Sequence, residues 1–371
     1  VGKIFYSVSG EGRGHATRLR AIVEDLRDDH DIVIYTPGLA GELLEPVYRD
    51  TEVEVRSIPG LHFHYNERNR LNYFKTGWYG IQYLAQYPDL NRRLREEMEK
   101  EEPDIVISDF EPALPRAARR MNIPFISLNH QHFLVTYDLS SLPPYLQRHA
   151  AFMSHVVQAY YSGQEETIVS SFYFPPLKPG FRNVTQIGVL LRPEVLAASP
   201  EQGSHVTVYL RRFNNSDLLK ILEDTGREIH IYGLGLHPSR GNLRFFEIDA
   251  FRFVEDLATG CALVSTAGNQ LVGEALFFGK PVLALPEEGN FEQYINAHFL
   301  QESGGGMFLE MNDIDSEKVL RFLSELDDYR SHIDRARLFG NPHALAVINR
   351  YLPENDRARS FSLEQAENVA I

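Results

Sequence analysis

The sequence has 371 residues, 43% of them hydrophobic and 24% charged, with 26 glycines and 20 prolines. That length predicts two domains with ordinary cores, and the composition excludes disorder and collagen-like repetition. The longest apolar runs, such as Cys261–Val264 and Pro281–Leu285, fall far short of the roughly 20 residues a membrane span needs. Lys and Arg number 37 against 51 Asp and Glu, and the net charge of −14 argues against nucleic acid as a partner. Cys261 is the single cysteine, so an internal disulfide and a thiolate metal cage are both excluded. Val1–Ser9 reads as a strand rather than a signal segment, and a cytoplasmic location is expected.

The first third alternates strand and helix patterns. Lys3–Ser9 is a β-rich run ending at Gly10-Glu11-Gly12-Arg13-Gly14-His15, and Ala16–Leu26 then carries Leu19, Ile22, Val23 and Leu26 at helical spacing. Ile32–Tyr35, Val53–Ile58, Ile105–Ser108 and Pro124–Leu128 follow as strands, the last after a basic amphipathic helix. Such alternation predicts parallel βαβ units. Between Gly60 and Glu102 the rhythm breaks into an aromatic stretch that includes Phe63, Tyr65, Tyr73, Trp78, Tyr83 and Tyr87. Packing of a helical lobe is the favoured reading there, with an acceptor-site lining as the other.

Residues 191–204 hold Pro193, Pro200 and Gly203 and read as an interdomain linker. A second αβ series begins at His205–Leu210 and continues through Glu228–Tyr232, Leu243–Ile248, Ala262–Ser265 and Pro281–Leu285. The expected organisation is an N-terminal domain over 1–190, a C-terminal domain over 205–341, and a helix with a polar tail over 342–371. The fold class is α/β, two Rossmann-like domains facing a central cleft.

The sharpest segment is Ser265-Thr266-Ala267-Gly268-Asn269-Gln270, continuing to Glu274 and Gly279-Lys280-Pro281. A strand enters a small-residue turn, and a helix starts near Gly268, where free N–H groups and the helix dipole suit a diphosphate. Glu274 stands about one and a half turns in, placed for the two hydroxyls of a ribose, although an ordinary surface glutamate would fit the same pattern. Downstream, Glu292 and Gln293 open a helix after a buried strand, at the strand end where open α/β sheets bind ligands. Asn290 is also a natural cap for that helix. Asp313-Ile314-Asp315 superficially matches a metal-binding pattern, but a cap for a helix beginning near Ser316 explains it better.

Taken in order, Gly268, Glu274, Gly279-Lys280-Pro281, Glu292-Gln293 and Asn296-Ala297 resemble the donor-binding signature of two-domain, GT-B-type nucleotide-sugar glycosyltransferases. The chain is similar to the lipid II-forming N-acetylglucosaminyltransferase and UDP-glycosyltransferase families. The resemblance implies a diphosphate site at Ala267, Gly268, Asn269 and Gln270, ribose on Glu274, and donor sugar near Glu292 and Gln293. It also implies that the backbone at Phe253 and Val254 reads the base. Gly12, Gly14 and His15 resemble the same family's glycine loop, which ends in histidine. His15 is then the general base of an inverting transfer, as an imidazole suits neutral pH. Asp109, 94 residues beyond His15, resembles the aspartate that orients the base in small-molecule members; a solvated turn is the other reading. His130 and His132 resemble an acceptor-side stretch. Two histidines two apart also suggest a metal, but no third ligand is evident in the sequence.

Three departures stand out. Arg211-Arg212 replace a Gly/Ser turn, and Arg211 is expected either to grip the diphosphate or to balance an acidic surface. Ala16-Thr17-Arg18 replace a hydrophobic and proline continuation. Thr266 stands where small-molecule members carry a histidine, and also eight positions before Glu274, where retaining enzymes of the same fold carry a second glutamate. Inversion is therefore expected, with a UDP-linked donor, a hydroxyl-bearing acceptor, no permanently bound cofactor and no metal requirement. The acceptor could be a glycan, a lipid-linked sugar or a small molecule, and peripheral contact with the inner face of a membrane is left open. A dinucleotide site is disfavoured because His15 stands where its fingerprint needs glycine. A nucleotide-sugar 2-epimerase of the same fold and a non-catalytic nucleotide-sugar-binding regulator are the alternatives.

Overall fold

The computed structural model describes residues 1–10, 13–60, 73–210 and 216–353. Gly12, Arg211, Arg212, Phe63 and Tyr65, together with the polar tail from 354, lie outside the described residues. The chain divides into two units.

The first unit contains β1 (Lys3–Val8), α1 (Arg13–Leu26), β2 (Asp31–Thr36), α2 (Gly38–Tyr48), β3 (Glu54–Ser57), α3 (Tyr73–Glu101) and β4 (Ile105–Asp109). It continues through α4 (Ala113–Met121), β5 (Phe125–Asn129), α5 (Phe133–Thr136), α6 (Pro144–Tyr160), β6 (Glu166–Ser170) and β7 (Val184–Ile187). Among the described residues these strands form a seven-stranded sheet in the order β3-β2-β1-β4-β5-β6-β7, every pair parallel. Strands in such a sheet are covered on both faces and read as continuous apolar runs, which is why Ile4–Tyr6 and Ile105–Ile107 are buried.

The second unit contains α7 (Pro193–Ala197), β8 (Val206–Tyr209), α8 (Ser216–Asp224), β9 (Ile229–Tyr232), β10 (Leu243–Phe246), α9 (Ala250–Thr259) and β11 (Ala262–Ser265). Then come α10 (Asn269–Phe277), β12 (Val282–Ala284), α11 (Phe291–Glu302), β13 (Gly306–Phe308), α12 (Ser316–Ser324) and α13 (Leu326–Ser331). Its described strands form a six-stranded parallel sheet ordered β10-β9-β8-β11-β12-β13. Residues 171–173, which follow β6, also belong to this unit.

Residues 340–353, with α14 (Asn341–Ile348), belong to the first unit. Ala344, Val347, Ile348 and Leu352 join the core built on Ile4, Leu19 and Ile22. Entry is by close backbone approach: Gly340 N–H donates to the Val189 carbonyl at 3.0 Å. A Cβ on Gly340 would stand 2.2 Å from the Gly188 oxygen, so the position tolerates only glycine.

Both sheets reverse strand order once in their interior, between β1 and β4 and between β8 and β11. Loops leaving neighbouring strands diverge at such a point, and the carboxyl edge there opens a crevice for ligands. His15 and Asp109 follow or end the strands of the first crevice, and the Thr266–Gly268 turn follows a strand of the second.

Candidate active site

In the first unit, α1 starts at Arg13, so Gly14 and His15 lie in its first turn rather than in a preceding loop. Asp109 is the last residue of β4 and fully buried. Its Oδ1 is 2.9 Å from His15 Nδ1. Arg18, one turn further along α1, places Nε 2.9 Å from Asp109 Oδ2 and Nη2 3.0 Å from Oδ1. Burial pushes the Asp109 carboxyl up, but the charges of Arg18 and His15 and their hydrogen bonds outweigh it and hold the pKa below the ordinary range. Asp109 is therefore a carboxylate at neutral pH. The His15 side chain keeps 12% of its surface exposed.

The residue after Asp109 is strained. Phe110 has φ +59°, in the left-handed region that L side chains avoid. Its ring stacks on Tyr160 at 5.0 Å and lies nearly parallel to His15 at 6.4 Å. Ser9 N–H bonds the Asp109 carbonyl at 2.8 Å, which ties the end of β1 to that of β4.

His130 and His132 are buried. His130 Nδ1 donates to the Ser170 carbonyl at 3.1 Å, and His132 Nδ1 lies 3.0 Å from Ser127 Oγ and 3.1 Å from Asn129 Oδ1. Burial pulls the His132 pKa down to about 3, so this ring is neutral. Both imidazoles are set in the hydrogen-bonding of the strand ends. Of the aromatic stretch, Tyr83 is buried and packs against Tyr87 with ring centroids 6.0 Å apart.

In the second unit, α10 begins at Asn269 with Gly268 as its N-cap residue. The space where a Gly268 Cβ would stand is open, with no protein atom within 4 Å. Ala267, Asn269 and Gln270 are buried around this start. The turn is pinned from beneath by Asn296 in α11: its Nδ2 donates to the Ala267 carbonyl at 2.9 Å, and its Oδ1 accepts from Tyr173 Oη at 2.9 Å. Glu274 is 2% exposed, and its Oε1 accepts from Gln270 Nε2 at 3.0 Å.

Asn290 caps α11 by accepting from Gln293 N–H. Gln293 Oε1 accepts from Glu287 N–H at 2.8 Å and so braces the loop before the helix; Glu292 is half-buried beside it. Phe253 and Val254 lie inside α9, and the Phe253 N–H is bonded to the Asp249 carbonyl. That N–H is not open to a base, and Phe253 packs edge-on against Tyr209 and Tyr232 instead. Asp315 caps α12 through Lys318 N–H, as its spacing from Ser316 predicts.

Among the described residues, one group of His, Cys, Asp or Glu brings three ligand atoms within 4.8 Å: His205, His230 and Asp256. It lies by the start of β8 and away from the carboxyl edge. His205 Nε2 donates to the Asp256 carbonyl at 2.8 Å, while His230 Nδ1 is 2.9 Å from Asp256 Oδ2, which Tyr232 Oη also approaches closely. Burial opposes a charge on His230, but the Asp256 carboxylate outweighs it and raises the pKa. The group is accounted for as an ion pair between His230 and Asp256.

The sequence alone gives Arg18 no role, although its i,i+3 spacing from His15 on a helix places both on one face. The bracing parts of Asn296 and Gln293 depend on loops remote in sequence and carry no local signal.

The fold agrees with the comparisons. The description "Glycosyl transferase family 1" matches residues 2–327, and the chain belongs to that family. Its two parallel α/β units are those of GT-B glycosyltransferases. A glycosyltransferase of Methanosarcina acetivorans is 26% identical, the match covering 98% of this chain and 99% of that one. A UDP-N-acetylglucosamine–N-acetylmuramyl-(pentapeptide) pyrophosphoryl-undecaprenol N-acetylglucosamine transferase of Histophilus somni is 24% identical over 36% of this chain and 40% of its own length. The solved UDP-glucosyltransferase of Polygonum tinctorium superposes with a TM-score of 0.69 at 14% identity, covering 94% of this chain and 98% of that one. Among the described residues, no helix is long and apolar enough to cross a membrane.

Proposed function

We propose that the chain is an inverting glycosyltransferase that moves a hexosyl group from a UDP-linked sugar to an acceptor hydroxyl, with His15 as general base. The observation that carries this is the 2.9 Å pairing of His15 with a buried, ionised Asp109 at the carboxyl edge of the first sheet. With Nδ1–H directed at Asp109, Nε2 holds a lone pair. As the acceptor oxygen attacks the anomeric carbon, its proton passes to Nε2 and the bond from that carbon to the diphosphate breaks. Asp109 stabilises the imidazolium that results.

In this reading the second unit holds the donor. The first-turn N–H groups of α10 take the diphosphate and its departing charge, and the open space at Gly268 leaves room for phosphate oxygens near the backbone. Because the helix start supplies that stabilisation, no metal is required. Glu274 binds the ribose hydroxyls, and Glu292 and Gln293 face the sugar. The first unit binds the acceptor, and the protein works in the cytoplasm.

The test is calorimetric titration with UDP, dTDP, GDP, CDP and NAD, followed by a sugar and acceptor screen with His15→Ala as control. Saturable UDP binding retained in His15→Ala, with turnover lost, is the expected result. Turnover that survives in His15→Ala sinks the assignment of the base, and binding of NAD alone sinks the donor class.

A further inference from the structure

His15 and Arg18 lie one turn apart on α1 and meet the same carboxylate. Arg18 is buried and holds Asp109 through two nitrogens, Nε to Oδ2 and Nη2 to Oδ1. The same Nη2 also lies 2.8 Å from His15 Nδ1. Asp109 Oδ1, Arg18 Nη2 and His15 Nδ1 thus form a triangle with sides of 2.9, 3.0 and 2.8 Å.

Neutral His15 can satisfy only one of its two contacts in this triangle. If Nδ1 carries the proton, it donates to Asp109 and leaves a lone pair on Nε2. If Nδ1 is bare, it accepts from Arg18 and the proton sits on Nε2. Only the first form takes a proton at Nε2. We infer that Arg18 competes with Asp109 for Nδ1 of His15, and so sets how much of the free protein holds the histidine in its basic form. Arg18 is a positioning residue in this scheme, and the scheme rests on the reading of His15 as the base.

The guanidinium suits the task. Nε and Nη2 reach both carboxylate oxygens from one plane, and the second hydrogen on Nη2 remains for Nδ1. A lysine ammonium would supply the charge without the fork. Among the described residues, the other titratable groups nearby do not compete for Nδ1. The Tyr161 hydroxyl lies 3.2 Å from Ser108 Oγ, and Glu111 accepts from the N–H groups of Ala113 and Leu114. Burial raises Tyr6 and Tyr161 well above the ordinary phenol range, so both stay neutral.

The test reads the tautomer directly, by two-bond proton–nitrogen correlation spectra of 15N-histidine-labelled protein at pH 8. Wild type, Arg18→Lys, Arg18→Met and Asp109→Asn are compared. The Nε2–H share of His15 is expected to fall at least threefold in Arg18→Met, to fall in the same direction in Arg18→Lys, and to rise in Asp109→Asn. A share unchanged in both Arg18 variants overturns the inference. If Arg18→Met does not fold, Arg18→Lys decides alone, since it keeps a cation against Asp109. Release of UDP from UDP-N-acetylglucosamine, with water as acceptor, is measured in parallel on wild type and His15→Ala. Persistence of that release in His15→Ala would end the base reading while leaving the tautomer result intact.

Discussion

His15 Nδ1 and Asp109 Oδ1 are 2.9 Å apart although 94 residues separate them in sequence. Parallel pairing of β1 with β4 brings them together, since Val8 is in register with Asp109 and α1 begins shortly after. If the pair is a base and its orienting acid, the two substitutions differ in kind. His15→Ala removes the proton acceptor, and transfer is expected to fall by 10²-fold or more. Asp109→Asn keeps the shape but loses the charge that stabilises the imidazolium, so kcat should drop steeply with little change in donor affinity. Comparing kcat with KM for each variant checks this; a loss confined to KM would place the pair in substrate binding instead.

Glu274 is buried within the second turn of α10 and takes a hydrogen bond from Gln270 on the preceding turn. Glu274→Ala is expected to weaken nucleoside diphosphate binding at least tenfold, about 1.4 kcal/mol. Gln270→Ala should cost less, because it removes a support and leaves the carboxylate. Calorimetry on both variants, with melting curves to show that the fold is intact, decides the matter. Equal affinity in wild type and Glu274→Ala would remove the ribose assignment.

The buried imidazole of His132 gives the fold a predictable sensitivity to acid. Its pKa is lowered to about 3 by burial, whereas an unfolded histidine titrates near 6.5. Between those values the unfolded chain binds the proton and the folded one does not. Stability contributed by this site is therefore fully present above about pH 6.5 and is lost as pH falls toward 3, by up to about 1.4 kcal/mol per pH unit. His132→Gln should lower the melting temperature at pH 7, where the contacts to Ser127 and Asn129 are disturbed, yet flatten its decline from pH 6 to pH 4. Parallel profiles for variant and wild type over that range would exclude His132 as the source.

Much of this organisation is legible in the sequence because its signals are local. Apolar runs such as Lys3–Ser9 and Ile105–Ser108 read as strands of parallel βαβ units, and Asp315 and Asn290 read as caps. β6, β7 and β13 escape such reading for different reasons. β6 includes a glutamate and two polar residues, although all five positions are buried, and β7 and β13 are short and partly exposed at the sheet edges. The membership of Arg18 in the Asp109 cluster is equally silent. It depends on the pairing of β1 with β4, and an arginine on a helix ordinarily reads as a solvated charge. At Phe253 the backbone N–H is bonded within the helix to the Asp249 carbonyl, a use that the local sequence does not signal.

Asn341 shows how a single amide fastens the returning chain to the first unit. Its Oδ1 accepts from Leu191 N–H at 2.7 Å, while Nδ2 reaches the Leu191 carbonyl at 3.0 Å and Asp25 Oδ2 at 3.1 Å. The side chain is buried, so the Leu191 N–H and carbonyl would otherwise be dry and unpaired. Asn341→Ala should cost about 1–3 kcal/mol, the penalty for leaving a buried N–H without a partner. Asn341→Asp should cost more despite its similar shape, because a carboxylate would then face the Leu191 carbonyl and Asp25. Burial already raises the Asp25 pKa and the Asn341 bond opposes that shift, so the Asp variant should also recover stability on mild acidification as one carboxyl of the pair is protonated. Urea denaturation at pH 7.5 and pH 5.5 measures both effects. An Asp variant no weaker than the Ala variant at pH 7.5 would mean that the Asn341 Nδ2 contacts contribute little, and that Leu191 N–H alone anchors the return.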